Sequence, residues 1–352
     1  MTALVITLFC LVIPNYAPGQ LDDLNTEALD CSIPDSYVDV RPGSKSIKTS
    51  VRVGFNLMDI KSINDVNQSY VIDVLFNVKW LDLRLKEEAL GRSLEGCIID
   101  LEEIWHPFIL EVNRSNSEIL LARVAIVDSQ GNVTYKQRVA GELNSEFNFD
   151  DFPFDTQTLH FIVGAFGPDA ENISLELDEE TTGSTENFSL EGWNAKFLGS
   201  NIKDEALVTT SSELGPSFSR IEFKVIAVRD QNYYIWKVIA PLCFIVLMAW
   251  AVFWINPKNL ETKIGLTTAA IFTLIAYRFA ISIDLPKVSY FTRLDEFIFF
   301  STVLVFGAFG IAVTSCKFAS DGKQSVALKI ERWARLVYML FFIALMLITL
   351  WL

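Results

Sequence analysis

Four apolar stretches fill the last third of this chain, at about residues 234–255, 262–283, 291–315 and 330–352. Each is long enough to cross a bilayer as a helix. Inside hydrocarbon every backbone N–H and C=O must be satisfied within its own element, so the stretches must be helical and the gaps between them wet. The second stretch is unusual. From Glu261 to Ile283 it is rich in Thr, Ala and Gly, which a helix facing only lipid does not need. At about 100° per residue, Glu261, Gly265, Ala269, Phe272, Ala276, Phe279 and Ile283 fall on one stripe. A single helix gains nothing from such a stripe. Several copies around an axis make a tube: an acidic ring at one end, small residues next, then two aromatic rings. The alternative is a helix packed in the core of a bundle.

Charge divides the chain in the same place. Between Gln20 and Asp230, 37 acidic residues stand against 18 basic ones; from Gln231 to Leu352 the numbers are 6 and 11. An acidic, water-facing domain over 20–230 therefore precedes a membrane domain over 231–352. Such acidity serves solubility, or draws cations toward a pore. No basic patch in the soluble part offers a surface to nucleic acid. Residues 1–19 read as a secretory signal, whose apolar core from Leu4 to Ile13 is too short to span. The linker between the third and fourth spans holds Lys317, Lys323 and Lys329, with Arg332 and Arg335 beyond, which places that end in the cytoplasm. Four spans then return the C-terminus to the side of the N-terminal domain. The expectation is a multi-pass protein of the cell membrane, with its N-terminal domain and C-terminus extracellular or periplasmic and lipid around the spans.

From Ser46 to Arg229 hydrophobicity alternates with the period of a strand. Strands are expected at Ile47–Leu57, Tyr70–Trp80, Thr156–Ala165 and Arg220–Val228, and a hairpin joins Ile119–Val127 to Val133–Val139. Turn signals recur at the spacing of an all-β, immunoglobulin-like sandwich. The acidic run 178–191 reads as a long loop. Of five cysteines, Cys10 leaves with the signal, and Cys243 and Cys316 lie in or beside spans. Only Cys31 and Cys97 are placed to pair outside. Two histidines and no CxxC argue against a metal site, and no cofactor is implied. His106 and His160 read as sandwich residues, and no Ser/His/Asp or Cys/His constellation supports an enzyme. Asn67, Asn113, Asn132, Asn172 and Asn187 each open an N-x-Ser/Thr triplet, which matters only in a host that glycosylates.

Several motifs follow one another in a telling order. The soluble part has Trp80-x-Asp82-x-Arg84-Leu85, Ile104-Trp105-x-Pro107 and Phe149-Asp-Asp-Phe152-Pro153-Phe154-Asp155-x-Gln157. The membrane part has Trp250-x-x-Phe253-Trp254, Ile264-Gly-Leu266 and Leu285-Pro286-Lys-Val-Ser-Tyr290. In this order the chain resembles the pentameric ligand-gated ion channels, the Cys-loop receptor family, from about residue 45 to its end. Two departures place it near the prokaryotic branch. The loop cysteines of the family fall at Ser145 and Leu159, and the intracellular domain shrinks to a short linker.

The resemblance implies a homopentamer around the second span, permeated by ions and opened by a small extracellular ligand or by protons. It implies an orthosteric site between subunits, here Phe166 and Phe218, with Val112, Leu75 and Asn77 where relatives carry aromatics or arginine. A pair of Phe faces can still hold a cation. The resemblance also implies coupling between domains through Arg229, Asp65 and Asp155, with Pro153, Pro286 and Tyr290 receiving the movement. Protons open one prokaryotic relative, but the acid implicated there aligns with Gln68 here, and its pore-helix histidine with Leu274. Arg278 lies off the stripe, near the outer end of the helix, where Asp284 or Glu296 of the next span could serve as its partner.

Selectivity carries mixed signals. Ile264-Gly-Leu266 and Leu285–Tyr290 are similar to the anion-selective glycine receptor. Anionic members, however, place Pro-Ala before the basic residue at the helix start, where this chain has Glu261-Thr262-Lys263. Five Glu261 carboxylates would draw cations, with Phe272 and Phe279 as a hydrophobic gate. Lys263 lies about 200° round the helix and points off the axis. The rivals are a Glu261 neutralised by Lys258 or Lys263, an anion channel of the same family, and a membrane-anchored binding protein that does not conduct.

Overall fold

The structure, a computed structural model, describes residues 30–43, 47–208, 214–282 and 285–351. The expected signal over 1–19 and the stripe residue Ile283 lie outside them, as does Asp284. Among the described residues twelve strands form two sheets. In chain order they are β1 (Thr49–Asn64), β2 (Ser69–Leu81), β3 (Ile99–Asp100), β4 (Phe108–Glu111), β5 (Arg114–Ile119), β6 (Val124–Val127), β7 (Asn132–Asn144), β8 (Thr156–Phe166), β9 (Ile173–Leu177), β10 (Gly183–Ser184), β11 (Trp193–Val208) and β12 (Leu214–Arg229). The larger sheet runs β10-β1-β2-β7-β6-β3, with β5 on β7 and β9 on β1; the smaller runs β11-β12-β8-β4.

Alternation puts one side of each strand into the layer between the sheets. Val51, Val53, Phe55 and Leu57 of β1 are buried, as are Leu159, Phe161, Val163 and Ala165 of β8 and Ile221, Phe223, Val225 and Ala227 of β12. Phe55 sits at the centre, its ring centroid 4.4 Å from that of Phe223 and 5.0 Å from that of Phe161. Burying an aromatic side chain contributes about 2–3 kcal/mol, so these three rings are the main apolar anchor between the layers.

Two expectations need correction. The strand drawn over Ile119–Val127 is two strands, β5 and β6, both paired to β7. The break between them is set by Gln137. Its amide accepts from Leu121 N–H at 3.0 Å and donates to Leu121 C=O at 3.1 Å, in place of ladder bonds. The loop over 178–191 is also less irregular than its composition suggests. Asp178 accepts from Thr181 and pairs with Lys79 at 2.6 Å, and β10 then runs parallel to β1. The turn from β6 to β7 has Gly131 at φ +81°, with Asp128 accepting the amides of Gln130 and Asn132.

Four helices follow: α1 (Asn232–Trp254), α2 (Leu260–Ile281), α3 (Arg293–Ser320) and α4 (Gln324–Trp351). α3 and α4 extend further than the apolar spans do. Their added turns carry Lys317, Lys329 and other polar residues, leaving only Asp321–Lys323 as linker. After its first turn α1 has a π-helical stretch, Ile235–Ile239, just before Pro241. Proline has no N–H to return to the preceding turn. The phenol of Tyr277 on α2 donates into that turn instead, to Val238 C=O at 2.7 Å. α3 starts with a capping box between Thr292 and Asp295.

Cys31 and Cys97 are joined, closing a loop across 66 residues. By loop-closure entropy such a bridge contributes about 4 kcal/mol. Cys97→Ser is therefore expected to lower the thermal midpoint of the purified channel under non-reducing conditions, and dithiothreitol to lower that of the unmutated chain but not of the variant.

Candidate functional site

Arg229 ends β12, three residues before α1 begins. Its side chain is 3% exposed and held from every side. Nη1 and Nη2 donate to Asp65 at 2.7 and 2.9 Å; Nε and Nη2 donate to Asp155 at 2.7 and 3.1 Å. The guanidinium lies 4.0 Å from the Trp193 ring centroid, 4.7 Å from that of Phe152 and 5.7 Å from that of Tyr234. Burial works against the charge, and the two carboxylates outweigh it and raise the pKa. The three residues expected to meet do meet. Trp193 and Tyr234 were not foreseen. Trp193 is the direct cross-strand partner of Arg229, so the stack follows from the β11–β12 register.

The segment between β7 and β8 reaches from this cluster to the membrane helices. Pro153 follows a cis peptide and is buried. Asp150 C=O accepts from Arg293 N–H at 3.1 Å, and Phe152 C=O accepts from Leu294 N–H at 3.1 Å. These are the first two amides of α3, which have no partner inside their own helix. Asp151 adds an ion pair to Arg293 at 2.7 Å. Tyr290 accepts from Phe149 N–H at 3.0 Å. Pro286 is buried beside a cavity of about 350 Å³ that Arg278, Lys287, Tyr290 and Asp295 also line. Glu296 is exposed, and Arg278 pairs with no acid among the described residues. The direct loop-to-α3 capping is what the sequence reading missed. Its one signal was Thr292-x-x-Asp295, which marks where the helix starts.

Phe166 and Phe218 pack together on neighbouring strands with centroids 5.1 Å apart. Gly164 makes room for them, since a Cβ there would stand 3.1 Å from both rings. Phe218 is only 7% exposed, so the rings offer a partly covered face. Val112 is exposed at the end of β4 in the same sheet. Leu75 and Asn77 are on β2 in the other sheet, away from the pair. Asn77 is buried, and its Oδ1 has no hydrogen-bond partner among the described residues. Gln68, at φ +50°, accepts the Ser145 amide through its own C=O, and Leu274 is buried.

On α2 the stripe stands clear of the bundle. Glu261, Gly265, Ala269, Phe272, Ala276 and Phe279 are all exposed, Phe272 at 67% and Phe279 at 72%. The opposite face, with Lys263, Thr267, Ala270 and Leu274, is buried. Lys263 pairs with Glu331 of α4. Glu261 makes no ion pair among the described residues.

The family model for the neurotransmitter-gated ion-channel ligand-binding domain matches residues 34–229, and that for the transmembrane region of the same channels matches 238–324. The chain belongs to this family of pentameric ligand-gated ion channels. A proton-gated ion channel from Gloeobacter violaceus is 25% identical over 294 residues, covering 84% of this chain and 80% of the relative. The sandwich is thus the extracellular domain of a ligand-gated ion channel, and the four helices are its membrane domain.

Removing Arg229 leaves the buried Asp155 and the partly buried Asp65 carboxylates facing each other; breaking a buried pair typically costs about 3–5 kcal/mol. Arg229→Ala is expected to lower the thermal midpoint of the solubilised channel and its surface yield. Arg229→Met combined with Asp65→Asn and Asp155→Asn recovers most of that loss, because no unpaired charge remains. An Arg229→Ala channel as stable as the parent would show that the cluster contributes nothing.

Proposed function

We propose that five copies of this chain surround an axis lined by α2 and conduct cations when an extracellular chemical signal, a proton or a small amine, arrives. The observation that carries this is the division of charge at the start of α2: Glu261 on the exposed stripe, Lys263 buried on the far side. In a ring, five Glu261 carboxylates attract cations and repel anions at the cytoplasmic mouth. Ala269 and Gly265 keep the bore open above it. Phe272 and Phe279 lie seven residues apart, about 10 Å along the helix. Two aromatic rings at that spacing exclude water when the helices close, with no charge needed.

Gating runs through the junction in this reading. Movement of β12 and of the β7–β8 segment reaches α1 through Arg229, with Asp65 and Asp155, and α3 through Asp150 and Phe152. Tyr290 and the segment around Pro153 and Pro286 carry it to the end of the pore helix. The proton reading is supported by the Gloeobacter relative. The amine reading is supported by the Phe166–Phe218 pair, with Val112 beside it and Leu75 and Asn77 supplied across the subunit boundary.

Currents from the expressed chain alone, across pH and a panel of small amines, test the signal. A native mass of five subunits is expected; any other number defeats the assembly. In a sodium chloride dilution the reversal potential is expected to follow sodium, and Glu261→Ala to lower the sodium-to-chloride permeability ratio at least fivefold. A reversal at the chloride potential would overturn the cation reading. Phe272→Ala is expected to leak at rest or to activate at lower stimulus. If both properties stay at parental values, the gate lies elsewhere.

A further inference from the structure

α4 lies at the margin of the bundle, and most of its surface is exposed aromatic and aliphatic side chains such as Trp333, Leu336, Leu340 and Phe341. One face is different. Glu331, Arg335 and Tyr338 recur at i, i+4 and i+7, the spacing of a single helical stripe. Arg335 donates to Phe253 C=O of α1 at 3.0 Å and lies 4.3 Å from the Trp254 ring, and Tyr338 donates to Val246 C=O at 3.1 Å. Glu331 is 1% exposed and accepts from the Lys263 ammonium of α2. Ser315 of α3 completes the group, its hydroxyl 2.9 Å from Glu331 and 3.5 Å from Lys263. α4 therefore hydrogen-bonds to each of the other three helices near their cytoplasmic ends.

An ion pair inside a membrane bundle is a poor way to add stability, because desolvating both charges offsets most of their attraction. An aliphatic pair would fill the space as well. The pair has a different consequence, set by the position of Lys263 two residues after Glu261. A lysine carries its charge on a flexible stem that turns toward the nearest water. At this end of α2 that water is the mouth of the pore. Five lysine charges reaching it would cancel five Glu261 carboxylates.

We infer that Glu331 is a positioning residue for charge selectivity: it holds the Lys263 ammonium inside the bundle, so that Glu261 alone sets the sign at the mouth. The inference rests on the cation reading above. Glu331 is buried between α2 and α3, against Lys263 and Ser315 and behind the exposed stripe, so it is not placed to touch a permeating ion. Its effect on selectivity must therefore pass through Lys263, and this separates positioning from simple support of the fold.

Reversal potentials of the full-length channel in a sodium chloride dilution test it. Glu331→Gln is expected to lower the sodium-to-chloride permeability ratio at least fivefold. Lys263→Met together with Glu331→Gln restores the parental ratio, since no lysine remains to misplace. A cation-selective parent whose ratio is unchanged by Glu331→Gln, or a double variant that keeps the lowered ratio, overturns the inference alone. A parent reversing at the chloride potential overturns the cation reading and takes this inference with it. Should Glu331→Gln not assemble, Glu331→Asp carries the same test, because it keeps the charge and shortens the arm by one methylene. A fall of at least twofold, abolished by adding Lys263→Met, is then expected, and a parental ratio in Glu331→Asp refutes the proposal.

Discussion

A single guanidinium joins both sheets and the first membrane helix. Arg229 belongs to the smaller sheet, Asp65 to the turn between β1 and β2 of the larger one, and Asp155 stands just ahead of β8. Tyr234, in the first turn of α1 beyond a two-residue gap, brings that helix to the same spot. Four charge-assisted hydrogen bonds around a buried cation do not weaken gradually. Each lost bond leaves a charge without water to replace it, so the cluster favours being made or being broken over any intermediate. In the proposed gating route, a junction that relays movement between two rigid bodies needs that property. The rest of the interface follows from where this cluster pins the β7–β8 segment, because that segment then supplies the carbonyls that complete the start of α3.

The membrane domain is organised by a related rule. Helices in lipid gain little from apolar contact, since the surrounding chains are equally apolar, so hydrogen bonds and close packing decide which faces meet. Glu331, Arg335 and Tyr338 do this for α4, and Tyr277 does it between α2 and α1. Each polar group finds either a backbone carbonyl of a neighbouring helix or a charge of opposite sign. A helix with an otherwise apolar surface thereby acquires one defined orientation.

How much of this was legible in the sequence depended on the kind of information required. Alternation is local, so β1, β2, β8 and β12 could be read directly, and so could the stripe Glu261-Gly265-Ala269-Phe272-Ala276-Phe279. The split of β5 from β6 could not, because it depends on the Gln137 side chain of a third strand. Arg229, Asp65 and Asp155 came together only through the family pattern, and no spacing in the chain gives it. Trp193 escaped notice because its role comes from the β11–β12 register. Lys263 could be placed off the axis by angle alone. Its partner, 68 residues away on another helix, could not, because periodicity identifies a face and says nothing about what that face meets.

That limit bears on where ions can be sorted. The outer domain is strongly acidic, and acidity at an entrance concentrates cations before they reach the membrane. In the proposed pore, however, α2 has 22 residues, a length of about 33 Å. At physiological ionic strength a charge is screened beyond about 8 Å of water, so the outer acids have little influence at the far end of the helix. Whatever sign prevails there must be set by groups within one or two turns of it. Glu261 and Lys263 are two of these, equal in charge and opposite in sign, and on an open helix end they would cancel. In the proposed reading, burial of one and exposure of the other prevent the cancellation, and a lysine buried with its charge needs a partner such as Glu331. In the proposed pore the sign of the mouth thus depends on a residue of α4, a helix that does not line it.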